Sequence, residues 1–438
     1  MSPLAAPALS EAGVVLVLFS ISLIPLAIAG LTLINTGLGR TRNAAHLMMS
    51  SLCVMAVAAG TYFLCGFAWQ GVTGGPAHAV SIGGKQWNWL AGQPWFLRGV
   101  EMNGSPASLV VWMQILSVAL AALIPMGGAA ERWRLGAMCV STALLAGITY
   151  PLFAHWVWGG GWLAQLGVNY RLGRGLVDAG GSGAIQAVGG LTALAMAWIL
   201  GPRRGKYTMD GVPTAIPGHN AVLVLFGCLL AWAGWLGLNS AGAILFTGVA
   251  PLATVLIGVN TTLAAGSAAV MAAVVTRVRF GRPDASLTAN GWVAGLAASS
   301  AACAVIPPAA AMLIGLVAGL VVPFAIENLE LRLTIDDPGG AISVHAIGGI
   351  WGLIAVGLFG RFPSPAAGES GQWVAQLVGV STLLGFVLPL TYGLNRLLNR
   401  FLPQRVAAEG ERQGLDLYEL GAGAYPEFMT HTDEFLQR

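Results

Sequence analysis

Two segments of the chain carry the same residue types at the same spacing. Asp178 to Leu194 reads DAGGSGAIQAVGGLTAL, and Asp337 to Leu353 reads DPGGAISVHAIGGIWGL. Each opens on an aspartate, has a glycine pair soon after, and then enters an apolar run. Eight residues past the aspartate one polar side chain interrupts that run, Gln186 in the first copy and His345 in the second. An imidazole can relay a proton, or donate one hydrogen bond and accept another. A glutamine amide offers one acceptor and two donors and does not titrate. The leading aspartates, Asp178 and Asp337, suit helix entry, where a carboxylate accepts backbone N–H bonds and favours the positive end of the helix dipole. Asp178 could also draw a cation. Ser182, in the Gly180–Gly183 stretch, could form a nucleophile pair with a histidine on another helix. The repeat accounts for the glycines without that pair, so an enzyme is the weaker expectation.

The elements that must position these residues are set by composition. The chain has 438 residues, 56% hydrophobic and 9% charged, with a mean hydropathy of +0.74. A soluble domain carries about 25% charged residues, so this is an integral membrane protein. No basic cluster interleaved with aromatics supports nucleic-acid binding. The five cysteines stand singly in apolar segments without metal or disulfide spacing. No metal or organic cofactor is expected. No Lys or Arg precedes the first apolar run, so that run is expected to be a span and not a cleaved leader.

A bilayer-spanning helix needs about 20 mostly apolar residues. That ruler predicts eleven spans, near 12–35, 44–69, 105–129, 135–155, 181–200, 217–239, 249–276, 287–305, 308–327, 341–360 and 372–394. With the N-terminus outside and the C-terminus inside, 16 of the 21 Lys and Arg fall on the inner side, as the positive-inside rule requires. Five spans then end in each copy of the repeat, so the halves (about 12–200 and 217–360) must be inverted relative to each other. The eleventh span is an addition. The expected fold class is thus an all-α integral membrane protein, with a transmembrane domain over 1–396 and a cytosolic tail over 397–438. Inverted repeats place the working site at their interface. The outer loop at 70–104 carries Trp87, Trp89, Trp95 and Phe96, read as an interfacial aromatic belt. Glu131 and Arg132, adjacent at the inner end of the third span, read as an ion pair. Gln114 and Asn239 read as helix-to-helix hydrogen bonds.

Together the residues resemble the ammonium transporters (the Amt/Mep/Rh family). The likeness is carried by GLTLINTGLGRTRNA from Gly30, Gln114 with GAAER at Gly128–Arg132, and TYPLFAHWVWGGGWL at Thr149–Leu163. It extends to both repeat segments and to EGERQGLDLYELGAGAYPEF at Glu409–Phe428. The resemblance implies an eleven-helix homotrimer in the cell membrane, with one pore per subunit and a tail that could dock a PII-type regulatory protein. It also implies roles for single residues. Gln186 and His345 hold the positions of two facing pore histidines. Met113 and Ser117 hold those of two phenylalanines that close the outer pore, with Leu238 also lining it. Gly242 stands where a serine helps bind the incoming cation. Trp158, Asp178, Tyr150 and Asn239 match the outer site and its vestibule.

The departures point to altered chemistry. Losing two aromatics and a hydroxyl weakens an aromatic cage that binds ammonium by cation–π attraction, and Ser117 is expected to widen the pore. A proton relay through a glutamine is not available. Gln186 with a neutral His345 suits a small neutral guest bearing both C=O and NH2, such as formamide or urea. The expectation is therefore a channel for a short neutral amide. The alternative is an ammonium or ammonia transporter with a modified pore. A sensor of nitrogen supply is a remote third.

Overall fold

The computed structural model describes residues 9–362 and 371–426. The last part of the expected tail, including Phe428 and Arg438, lies outside the described residues.

Among the described residues ten helices are long and apolar enough to cross a membrane: α1 (Glu11–Leu38), α2 (Thr41–Gln70), α3 (Pro106–Ala129), α4 (Leu135–Trp158), α5 (Ser182–Leu200), α6 (Ala221–Thr247), α7 (Pro251–Phe280), α9 (Pro308–Leu333), α10 (Ile342–Phe359) and α11 (Gln372–Phe401). The remaining predicted span, at 287–305, is the 15-residue α8 (Ala285–Ser299). At 1.5 Å per residue it falls short of a bilayer. Its apolar run continues as a buried non-helical stretch through Cys303, which is what the hydropathy ruler counted as helix.

Helix starts follow capping chemistry. Ser10, Asn220 and Asp284 accept N–H bonds from residues three further on, and Ser105 does the same just before Pro106. The cap at Asn220 moves the start of α6 later than the expected 217, and its end lies well past the expected 239. α11 likewise runs beyond the expected boundary at 396.

The repeats pack in a matching way. α1, the first helix of one half, lies along α6, the first of the other. α5 and α10, the last of each half, cross each other. Like meets like, as a two-fold relation in the membrane plane demands. α7 packs on α9, and α3 and α8 flank the α5–α10 crossing.

One feature departs from an all-α chain. The outer loop holds an antiparallel hairpin, β1 (His78–Ile82) and β2 (Lys85–Leu90), with Ile82 facing Lys85. Gly83 and Gly84 both take positive φ, as a two-residue hairpin turn requires. Nor do all the loop aromatics face the interface. Trp87 is buried, and Trp89 packs on Trp162.

The basic end differs from expectation too. Glu131 and Arg132 do not pair. Glu131 accepts from the Arg40 backbone N–H at 2.7 Å and lies 3.5 Å from Arg203. Arg132 turns the other way and donates to the carbonyls of Gly201 (2.7 Å), Gly128 (3.0 Å) and Asp336 (2.8 Å). Glu131 has a positive φ of 69°, and this bend sends neighbouring side chains apart. Asp336 receives two hydrogen bonds from the Arg203 guanidinium, at 2.8 and 2.9 Å. These contacts with Arg203 and Arg132 hold its carboxyl at about 2 although burial opposes ionisation.

The described tail lies against this same end. Asp416 accepts from the backbone N–H groups of Ala45 and His46, and Glu419 accepts from Leu135 N–H and meets His46 Nε2 at 2.7 Å. Asn43 accepts from Leu415 N–H at 2.9 Å.

Candidate functional site

α5 and α10 both open with a π-turn, Ser182–Ala187 and Ile342–Ile347. Such turns insert one residue per turn, re-aim the side chains they carry, and concentrate at functional sites. Gln186 and His345 sit in these turns. The aspartates eight residues back cap them. Asp178 accepts from the N–H groups of Gly181 (3.0 Å), Gly183 (2.9 Å) and Ala184 (2.9 Å), and Asp337 from Ala341 (2.9 Å) and Ile342 (2.8 Å). Burial pushes both carboxyls up to about 6, against the pull of these donors.

The second glycine pairs do the joining. A Cβ on Gly190 would lie 2.7 Å from the carbonyl carbon of His345, and one on Gly349 would lie 3.2 Å from Gln186 Cβ. Each helix thus presents its glycine to the other's polar residue, and side chains at these two positions would hold the helices apart. With them absent, His345 Nδ1 meets Gln186 Oε1 at 2.7 Å. The acceptor is an amide oxygen, so Nδ1 carries the proton, leaving a lone pair on Nε2. Gln186 is 0% and His345 2% exposed. Gln186 Nε2 is buried without a hydrogen-bond partner. The pair therefore offers a donor and an acceptor in a buried crossing, with the glutamine unable to titrate.

Ser182 belongs to the scaffold. Its hydroxyl donates to Ala297 C=O at 2.6 Å and accepts from Ala301 N–H at 2.7 Å, tying the start of α5 to α8 and the stretch beyond it. A buried hydroxyl with both bonds taken has no nucleophile's freedom.

Towards the hairpin end, the other expected residues gather. Tyr150 donates to Gln114 Oε1 between α4 and α3, and Asn239 Nδ2 donates to Thr261 Oγ1 at 2.9 Å between α6 and α7. Met113, Ser117 and Leu238 are all fully buried, with no water-sized space beside them. The Ser117 hydroxyl folds back onto Met113 C=O at 2.9 Å. The Met113 methyl lies 3.1 Å from where a Cβ on Gly242 would stand, so neighbours fill the space a serine would use. Trp158 is anchored through Nε1–H to Asp178 C=O at 2.7 Å.

One residue here escaped the sequence reading. Phe246 stacks on Trp158 with ring centroids 4.5 Å apart and planes 14° from parallel. The signal existed, since Leu238, Gly242 and Phe246 follow at intervals of four. It was hidden because the sixth span was expected to end at Asn239. An apolar cleft lined by Trp89, Trp156, Trp162 and Phe386 touches none of the expected pore residues.

Comparison with known proteins agrees with this architecture. The model of the Ammonium Transporter Family matches residues 14–425. The chain is 37% identical to ammonium transporter Amt2 of Archaeoglobus fulgidus, covering 92% of this chain and 85% of that one. It is 32% identical to the ammonium transporter of Bacillus subtilis, over 95% and 98%. Among solved structures it is similar to one named Sensor Amt Protein, with a TM-score of 0.83 and 28% identity over 93% and 98% of the two chains. It is also similar to Candida albicans Mep2, with a TM-score of 0.78 and 25% identity over 97% and 92%. Both of these relatives bear ammonium in their names, and neither names a short neutral amide.

Proposed function

The chain belongs to the Ammonium Transporter Family, a family of transporters and not enzymes, and from that membership we propose that this multi-pass protein of the cell membrane conducts ammonium or ammonia through a modified pore. The observation that supports it is the buried Gln186–His345 pair at the α5–α10 crossing. Ammonia has three donors and one lone pair. His345 Nε2 can accept one of its N–H groups, and the unpartnered Gln186 Nε2 can donate to its nitrogen. A charged ion is expensive at that depth, so the species crossing the pair is the neutral one, and the proton is left to water on the entry side before it. Because Gln186 does not titrate, it cannot pass that proton along. The reading extends to a homotrimer with one such pore per subunit, and to a PII-type regulatory protein meeting the basic end where the tail lies.

A second reading, a channel for formamide or urea, is favoured by the same free amide donor beside an acceptor. A third, a nitrogen sensor, is favoured by the similarity to Sensor Amt Protein and by a tail bonded to the ends of α2 and α4. Protein in liposomes separates them. Saturable ammonium uptake without formamide-driven swelling supports ammonium conduction. Fast swelling in formamide with no ammonium uptake would replace it by the amide channel, and neither flux would leave the sensor.

A further inference from the structure

The outer ends of α2 and α4 meet in a second buried pair of amide and imidazole. Both helices carry a π-turn, Tyr62–Gly66 and Leu145–Thr149, and glycines let the two turns close on each other. A Cβ on Gly66 would lie 2.6 Å from the Ala146 carbonyl oxygen, and one on Gly147 would lie 3.1 Å from the Thr61 methyl. Further out, His155 Nδ1 meets Gln70 C=O at 2.6 Å, so Nδ1 carries the proton. An unpaired charge is costly when buried, so the ring is neutral and Nε2 keeps its lone pair. Gln70 Oε1 accepts from the Tyr62 hydroxyl at 2.8 Å. Gln70 is 0% and His155 1% exposed, yet Gln70 Nε2 and His155 Nε2 are left without a hydrogen-bond partner. The arrangement repeats that of Gln186 and His345. An imidazole N–H is spent on an amide oxygen, and an imidazole lone pair and an amide NH2 are left over.

We propose that Gln70 and His155 form a second site, for one small neutral molecule that carries a lone pair together with O–H or N–H bonds, which is water or ammonia. Buried polar groups in native interiors are satisfied by protein or by an ordered guest, and here a donor and an acceptor wait side by side. The guest donates to His155 Nε2 and accepts from Gln70 Nε2. An ammonium ion has no lone pair for the Gln70 amide, so the site takes the neutral form. Two glycines hold the ring in place for it. A Cβ on Gly159 would press on Gln70 C=O and lie 2.5 Å from His155 Nδ1, and one on Gly161 would lie 2.9 Å from His155 Cδ2. A side chain at either position would displace the imidazole. This gives the glycines of the HWVWGGGWL segment a task apart from Trp158. The site goes beyond the ammonium reading and does not depend on it, since water makes the same bonds.

The test is solid-state NMR of the protein in lipid bilayers at neutral pH, with isotope-labelled histidine. The His155 Nε2 resonance is identified by its loss in His155→Phe. In the wild type it should lie upfield of a free imine nitrogen, as a nitrogen that accepts a hydrogen bond does. Gln70→Leu should move it back towards the free position. A contact from water protons to Nε2 that persists when 15N-labelled ammonium is added identifies the guest as water. A contact from the added label to the His155 ring carbons identifies it as ammonia, and either result supports the site. A wild-type resonance at the free position, or one that Gln70→Leu leaves in place, would overturn it. Should Gln70→Leu not fold, the wild-type position decides alone. None of these readouts involves transport, so failure of the ammonium reading and failure of this site are separate results.

Discussion

His345 Nδ1 and Gln186 Oε1 lie 2.7 Å apart across the α5–α10 crossing, and this one hydrogen bond decides what each side chain can still do. The imidazole has spent its proton-bearing nitrogen on an amide oxygen and turns a lone pair outward. The amide has spent its oxygen and keeps two N–H donors. The amide oxygen is too weak a base to take the imidazole proton, so the bond holds the pair without relaying protons.

Gln186→Leu should therefore leave the His345 N–H buried without an acceptor. The cost is about 1–3 kcal/mol, seen as a lower thermal midpoint in detergent, and ammonium uptake should fall because the free donor is lost as well. Gln186→His restores a titratable partner and should raise the electrical current evoked by ammonium in a planar or liposome-coupled bilayer. An unchanged current would show that the non-titrating glutamine is not what limits charge movement.

Gly349→Leu tests the crossing itself. The new side chain would start 3.2 Å from Gln186 Cβ and closer still to the α5 backbone. Overpacking of this kind costs about 1–3 kcal/mol or more, and it should separate Gln186 from His345. Loss of transport with a lowered midpoint is expected. Gly136→Ala, where no atom lies within 4 Å, should change neither.

Asp336 joins the stretch before α10 to the loop after α5 through Arg203 and to the bend after α3 through Arg132. Asp336→Asn removes one partner of a buried ion pair and should destabilise by about 3–5 kcal/mol. The pH dependence follows from its carboxyl being held at about 2, below the ordinary 3.8. In that window the unfolded chain binds the proton and the folded one does not. The stabilisation is complete above the unfolded value and is lost as pH falls through the folded one. The difference in thermal midpoint between wild type and Asp336→Asn should be constant above about pH 4 and shrink towards about pH 2.

Glu419 pins the tail to α2 and α4, and its hydrogen bonds with His46 and Leu135 hold its carboxyl below the usual range. Its contribution is likewise full at neutral pH and lost on acidification through that lowered value. Glu419→Leu should free the tail, so limited proteolysis should cleave around residues 402–426 faster than in the wild type while the membrane helices stay intact. Equal cleavage rates would mean that the other tail contacts suffice.

The spans and the repeat were legible because a bilayer demands long apolar runs and the aspartate, glycine pairs and central polar residue recur at one spacing. That was enough to single out Gln186 and His345 and to assign capping to Asp178 and Asp337. The Gly83–Gly84 turn is equally legible, since adjacent glycines supply the two positive φ angles of a tight hairpin. Other features depend on directions in space that no local pattern carries. The bend at Glu131 sends Arg132 away from its neighbour. The apolar run through Cys303 packs without being helical, since hydropathy reports burial and not backbone geometry. A serine's space at Gly242 is filled by the Met113 methyl and the Ala179 carbonyl, and Phe246 meets Trp158 only because α6 continues past Asn239. The sequence by itself determined a membrane-embedded duplicated chain and the residues placed at its centre of symmetry. Only the tertiary structure decided which atoms of those residues face each other and which remain free, because that depends on how closely glycines let two helices cross.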